Sequence, residues 1–236
     1  LNTDNVSTRD DQINRFEEMS PTWEESNIIV EWLYQIINTS NMIVNRAEGE
    51  VNWEGATEEE NLINKNAIIS EAMVARAWAY RLLIYAWGPV PYNFEEITGA
   101  NYRTDWERNS IEEIKLKLKE DLEFAVQNLP MDEVDNTRIN GAVARHYLGE
   151  LYLSLGEFQN AIDVLKPLCE ESSYSLITER FGRVVDNPDG NLFMDIIRSP
   201  YPNQGNSETF FVLANRLDVP GSQTLNLMEN WIGHYR

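Results

Sequence analysis

The sequence predicts a mostly α-helical chain, made of helical hairpins up to about residue 176 and of loops with short strands beyond it. Three observations carry this. Apolar residues recur at spacings of three and four through four blocks, which gives each helix one buried stripe. Two of the blocks open on Ser or Thr with Glu three residues on, and all close on Gly or Pro. After Tyr174, Pro, Gly and Asn gather in turn-forming clusters.

The first helix is expected from about Glu24 to Arg46. Its stripe is Ile28, Ile29, Trp32, Ile36, Ile37, Ile43 and Val44, and Gly49 is its stop. The second runs from about Glu58 to Trp87, opened by the Thr57/Glu60 capping box and ended by Gly88-Pro89. Its stripe is Ile68, Ala72, Ala75, Ala79, Leu82 and Ala86, and the alanines admit a close neighbour. The third opens at Ser110 with Glu113 and ends at Asn128 before Pro130. Ile111, Ile114, Leu118, Leu122, Ala125 and Leu129 are its buried face. A helical hairpin follows, Gly141 to Leu155 and Phe158 to about Lys166, turning at Gly156 and ended or kinked by Pro167. Beyond Tyr174, Leu192 to Ile197 and Thr209 to Leu213 read as short strands.

Composition narrows the function. The chain has 236 residues, 42% hydrophobic and 25% charged, enough for a sizeable core without disulfide or metal support. Lys and Arg number 19 against 39 Asp and Glu, a net charge of −20. Such a surface repels phosphate backbones and anionic headgroups, which argues against nucleic acid as a partner. The longest apolar-rich stretch, Ala72 to Trp87, is broken by Arg76 and Arg81, so no helix is expected to span a membrane. The single cysteine, Cys169, forms no intramolecular disulfide and leaves the compartment open. The chain starts at Leu1 without a basic or apolar leader, as expected if a leader has been removed or the sequence is an excerpt.

Residues Ala144 to Ala161 carry the tetratricopeptide pattern: Leu148-Gly149, Tyr152, Gly156, Phe158 and Ala161. Gly149 and Ala161 permit close helix contact, Tyr152 and Phe158 fill the seam, and Gly156 makes the turn. A second set of residues is more specific. Glu71 to Tyr80, with Arg76-Ala77-Trp78, and the turn Trp87-Gly88-Pro89-Val90-Pro91-Tyr92 resemble the hallmark of the SusD/RagB family. Tyr34, Ile37 and Asn41 match that family's first helix. Ser110, Glu112, Glu113, Asp121-Leu122, Ala125 and Leu129-Pro130 match its next block, and Gly141 to Ala161, closing at Tyr174-Ser175-Leu176, its tetratricopeptide block. Asn206 to Phe211 is similar to a later stretch. Met73 and Arg81 depart from the pattern, where a basic and an aromatic residue are common.

The resemblance implies that residues 1–236 are the N-terminal part of a SusD-like domain, a helical scaffold over about 22–176 with a loop and strand region over 177–236. It implies an outer-membrane lipoprotein on the extracellular face of Bacteroidetes-type bacteria, tethered by a lipid anchor absent from this chain. Such proteins sit over a TonB-dependent (SusC-like) transporter and hand it captured glycan, in some members peptide. They bind and do not cleave, and no cofactor is implied. Arg76, Trp87, Gly88, Pro89, Pro91, Gly149, Tyr152, Gly156 and Ala161 would be structural, with ligand contacts on loops outside the helices.

Catalytic constellations are thin. Two histidines, His146 and His234, make a multi-histidine metal site or a Ser-His-acid triad improbable, and no metal site is expected. Cys169 reads as a buried structural thiol. Glu58-Glu59-Glu60 is a solvated first turn that complements the helix dipole. Asp186-Asn187-Pro188-Asp189-Gly190 has calcium-loop composition without the downstream Glu. Gly88 and Gly99 stand alone rather than in a phosphate loop.

Aromatic residues are the better lead. Trp32, Trp78 and Trp87 belong to helices, as core or seam. Trp53, Tyr102 and Trp106, with Tyr201, fall in polar connections, and Trp23 just precedes the first helix. Sugar rings stack their C–H faces on indole or phenol while nearby polar groups take the hydroxyls. For any single ring the commoner outcome is to fold onto the scaffold as a hydrophobic plug. Trp23, Trp53, Tyr102 and Trp106 are nonetheless the candidate ligand contacts. Trp23 and Arg9 are included because, as the resemblance implies, the ligand surface of several family members uses the segment before the first helix. Two other classes stay open: a tetratricopeptide adaptor, which predicts repeats of equal length, and a helical glycoside hydrolase, which needs two facing acids.

Overall fold

The computed structural model describes residues 24–49, 51–132, 138–199 and 204–212. Its elements are α1 (Glu24–Arg46), α2 (Glu58–Trp87), α3 (Ile111–Asn128), α4 (Gly141–Leu155), α5 (Phe158–Glu170), a 3-10 turn (Gly182–Val184) and α6 (Leu192–Arg198). The chain divides into two compact units. One comprises Trp32–Val212; of the other, Leu1–Glu31 with Leu213–Arg236, the described part is the start of α1.

The helices form where capping and periodicity place them. Thr57 Oγ1 accepts the Glu60 N–H at 3.1 Å, and Ser110 with Glu113 closes a full capping box at the start of α3. Asn140 caps α4 through the Val143 N–H at 3.1 Å. Helices α2, α3, α4 and α5 pack in succession, so the middle of the row is apolar on more than one side. Buried residues of α2 run around much of its circumference: Ile69, Ala72, Val74, Ala77, Ala79, Tyr80, Leu83 and Ile84. Of the stripe expected for α2, Ala72 and Ala79 are buried and Ala86 is exposed. A helix buried on several sides has no single stripe to find.

The α4–α5 hairpin follows the tetratricopeptide logic with one correction. A Cβ on Gly149 would stand 2.6 Å from the Leu165 side chain, so glycine lets the two helices approach. Ala161 and Tyr152 are buried, and Gly156 caps α4 at φ 77°. Phe158, expected in the seam, is 64% exposed. Helix α5 runs on to Glu170 with Pro167 inside it, and the Pro167 carbonyl still accepts the Glu171 N–H at 2.9 Å.

Four further expectations are overturned. Leu192 to Ile197 is helix α6, not a strand: Asn191 accepts the Met194 N–H and starts a turn that the apolar run continues. Residues 209–212 form no strand, and Val90 with Asn109 is the single β-bridge among the described residues. Cys169 is exposed rather than buried. In α1 the buried face is Leu33, Ile37, Ser40, Asn41 and Ala47, whereas Ile28, Ile29 and Trp32 of the expected stripe are exposed.

Arg180 organises the region around α6. Its guanidinium donates to the carbonyls of Val184 (2.7 Å) and Gly190 (2.8 Å) and pairs with Asp195, which is fully buried. The segment with calcium-loop composition is thus gathered around a guanidinium.

Candidate functional site

A cleft lies where the chain leaves α2. Gly88 caps that helix at φ 73°, ψ −135°, a backbone state that L side chains rarely adopt, and its N–H reaches the Ile84 carbonyl at 3.1 Å. Pro89 blocks a further helical turn. Val90 then pairs with Asn109, the Asn109 N–H donating to the Val90 carbonyl at 3.0 Å. Residues 90–109 are therefore a loop closed at its neck.

The first half of the loop is pinned by side chains of α1 and α2. Tyr34, Asn38 and Asn41 are four and three residues apart, on one face of α1. The Tyr34 hydroxyl donates to the Pro91 carbonyl at 2.8 Å. Asn41 Nδ2 donates to the carbonyls of Asn93 (3.1 Å) and Glu95 (3.0 Å). Asn38 takes the Ile97 N–H at 2.7 Å and gives an amide hydrogen to the Ile97 carbonyl at 3.2 Å. From α2, the Tyr80 hydroxyl accepts the Asn93 N–H at 2.8 Å and donates to the Asn93 carbonyl at 3.0 Å.

Arg76 lies beneath these bonds with 2% of its surface exposed. It binds Asp121 with two hydrogen bonds (2.9 and 2.7 Å) and Asn41 Oδ1 with a third (2.7 Å), and its guanidinium stacks 3.8 Å from the Phe94 ring centre. Arg76 thus ties α1, α2, α3 and the loop together. Burial pushes the Asp121 carboxyl up, against the opposing pull of the guanidinium. Burial also raises Tyr34 to about 12 and the hydroxyls of Tyr80 and Tyr92 well above the ordinary phenol range, so all three stay protonated at physiological pH.

Between α1 and the loop is a cleft of about 290 Å³ lined by Tyr34, Ile37, Asn38, Asn41, Pro91, Asn93, Ile97 and Trp106. Trp106 is half-buried. Its indole N–H donates to the Arg103 carbonyl at 3.0 Å, the Arg103 guanidinium lies 4.6 Å from the ring, and Arg103 pairs with Asp105 at 2.8 Å. An apolar cleft with one indole and a rim of amides suits a ring with an apolar face and peripheral hydroxyls. Tyr102, on the same loop, is 71% exposed and lines no part of the cleft.

The remaining aromatic candidates disperse. Trp53 is half-buried in the connection before α2, where its carbonyl accepts from Asn64 at 2.8 Å, and it does not line the cleft. Arg9, Trp23, Tyr201 and His234 lie outside the described residues. Trp32 and Trp87, expected as core or seam, are 50% and 36% exposed. Trp32 meets Trp78 edge-on at 5.7 Å, beside a broad groove of about 530 Å³ between α1 and α2 that Trp32, Ile36, Ile43, Ile68, Glu71 and Ala75 help to line. Arg81 forms a separate cluster, bound to Glu150 at 2.9 and 2.6 Å with Tyr85 and Tyr147 against its guanidinium. Among the described residues no three His, Cys, Asp or Glu side chains converge as metal ligands.

Sequence reading alone missed Asn38, Asn93 and the cleft itself. The available signal was polar residues at spacings of four and three inside an otherwise apolar helix face. Nothing in the sequence says which segment they hold.

Comparison with known proteins adds the following. A SusD-like family model, described as starch-binding associating with outer membrane, matches residues 1–153. SusD-like protein P2 of Formosa agariphila is 28% identical over 130 residues, 55% of this chain and 24% of that protein. Among solved structures, a SusD superfamily protein from Bacteroides thetaiotaomicron is similar at a TM-score of 0.60 and 20% identity, over 80% of this chain and 39% of that one. A laminarin-binding SusD-like protein is similar at 0.53 and 21%, over 63% and 32%. A protein solved with a xylogluco-oligosaccharide is similar at 0.59 and 22%, over 69% and 33%. The chain spans about a quarter to two fifths of the length of these relatives.

Proposed function

The chain belongs to the SusD-like family, and on that premise we propose that it is a non-catalytic glycan-binding protein of the bacterial outer-membrane surface, held there by a lipid anchor. In this reading residues 90–109 present Trp106, and at their tip Tyr102, to a sugar chain, and the helices serve as the scaffold. The family's association with the outer membrane, and relatives whose names include laminarin binding and a xylogluco-oligosaccharide, support this. The observation that carries it is the cleft under the loop, with one indole and a rim of amides. The acidic charge of −20 favours neutral over polyanionic glycans. Delivery to a TonB-dependent transporter completes the reading, with modest affinity so that ligand is released as well as captured.

Calorimetry with laminarin and xyloglucan oligosaccharides tests the binding. The parent protein is expected to bind one of them, and Trp106→Ala to bind it at least about tenfold more weakly, the scale of a lost aromatic contact, with the melting temperature held within about 2 °C. Tyr102→Ala should cost a smaller factor. Binding by Trp106→Ala equal to that of the parent would overturn the assignment of this cleft. Mild-detergent co-purification of the membrane-borne protein with a stoichiometric β-barrel transporter tests the delivery step, and a partnerless eluate would sink it.

A further inference from the structure

We infer that Asn38 is a positioning residue for the Trp106 loop: its side chain sets where residues 97–106 stand, and through them the affinity of the site. This rests on the reading of Trp106 as a glycan contact.

The inference comes from how unevenly the loop is held. Up to Glu95 the backbone is tied several times over, by Tyr34 at Pro91, by Tyr80 and Asn41 at Asn93, and by Asn41 again at Glu95. From Glu96 to Arg108 the hydrogen bonds are nearly all internal. Asn101 closes a turn on Thr98 and Glu96, Arg103 pairs with Asp105, and Trp106 reaches back to Arg103. Among the described residues two side chains fasten that stretch to a helix, and both come from α1. One is Arg46, which pairs with Glu96 but is 65% exposed, and so holds weakly. The other is Asn38, which binds both the N–H and the carbonyl of Ile97.

Ile97 is the last fixed point before the turn that leads to Tyr102 and Trp106. Asn38 and Trp106 line the same cleft, so a shift at Ile97 changes the cleft's width directly. The Asn38 oxygen takes the Ile97 N–H and one amide hydrogen goes to the Ile97 carbonyl, so its hold on the loop runs through the backbone at that residue.

The test is Asn38→Ala, read by amide hydrogen exchange and by glycan calorimetry, with Arg46→Ala as control. The expected result is exchange about tenfold faster over residues 97–106, unchanged exchange in α2 to α4, and affinity about five- to tenfold lower. Arg46→Ala should change each by less than about twofold. Unchanged exchange over 97–106 would overturn the inference, and so would faster exchange with affinity retained. If Asn38→Ala does not fold, Asn38→Asp, which keeps the acceptor for the Ile97 N–H and loses the donor, is read in the same way. Absence of glycan binding by the parent protein would instead remove the functional premise, and the exchange measurement would still decide whether Asn38 holds the loop.

Discussion

The α4–α5 hairpin and the α1–α2 pair solve the same problem, holding two helices together, by opposite means. In the hairpin the contact is small residues and apolar surface, with Gly149 against Leu165 and buried Ala161 and Tyr152. Between α1 and α2 a buried polar bond is added to aromatic edges: Arg76 reaches Asn41, Trp32 meets Trp78 and Tyr34 meets Tyr80, and a broad groove remains beside Trp32. Close packing leaves no space and serves as scaffold. A polar bridge leaves space and can reach out to a third partner, here the backbone of residues 91–97. The candidate site lies against the α1 face that carries Tyr34, Asn38 and Asn41.

Breaking the polar bridge should have the largest effect. Arg76→Ala strands the Asp121 carboxylate, which is 6% exposed, and is expected to cost about 3–5 kcal/mol by urea unfolding. Replacing both residues, as Arg76→Met with Asp121→Leu, should recover a large part of that loss. Failure of the pair to outdo the single change would mean that the contacts of Arg76 with Asn41 and Phe94 matter more than its charge partner.

Next in size is the close approach in the hairpin. Gly149→Ala should cost about 1–3 kcal/mol, and a second change, Leu165→Ala, should relieve the clash while adding its own cavity. A neutral Gly149→Ala would show that Leu165 simply turns aside. Much smaller is Phe158→Ala, expected within about 0.5 kcal/mol because the ring is exposed; a loss of 3 kcal/mol or more would restore its place in the seam.

The smallest effect is local and pH-dependent. The Arg180 guanidinium, helped by the Phe181 N–H, holds the Asp195 carboxyl below the usual carboxylate range. A carboxyl with a lowered folded-state pKa stabilises above its unfolded value and loses that contribution as pH falls through the folded one. Protection of amides in 180–199, corrected for intrinsic exchange, should therefore fall below about pH 4, ahead of protection in α3. Simultaneous loss in both would argue against a separately held α6 region.

What was legible in the sequence is local in cause. Capping residues, periodicity and breakers mark the ends of α1 to α4, because an N-cap hydrogen bond and a proline act within one turn of chain. The same rules failed at α6, where six residues with apolar character do not separate a strand from two helical turns. They also failed on the burial of Trp32, Trp87 and Phe158, since a periodic apolar position faces the interior only if a neighbour covers it. Of the candidate contacts, Trp106 stands in a cleft, while Tyr102 and Trp53 stand elsewhere.

By itself, then, the sequence determined helices α1 to α5, the hairpin turn at Gly156, the abrupt end of α2 at Gly88 and the acidic charge, each set by residues within a few positions of one another. Only the tertiary structure decided that Tyr34, Asn38 and Asn41 hold a segment more than fifty residues away. It alone joined Arg76 to Asp121, and it alone opened a cleft that Trp106 lines and Trp53 does not. Side-chain amides bind any backbone carbonyl that arrives at the right distance, and that arrival is a property of the packed helices rather than of any short stretch of chain.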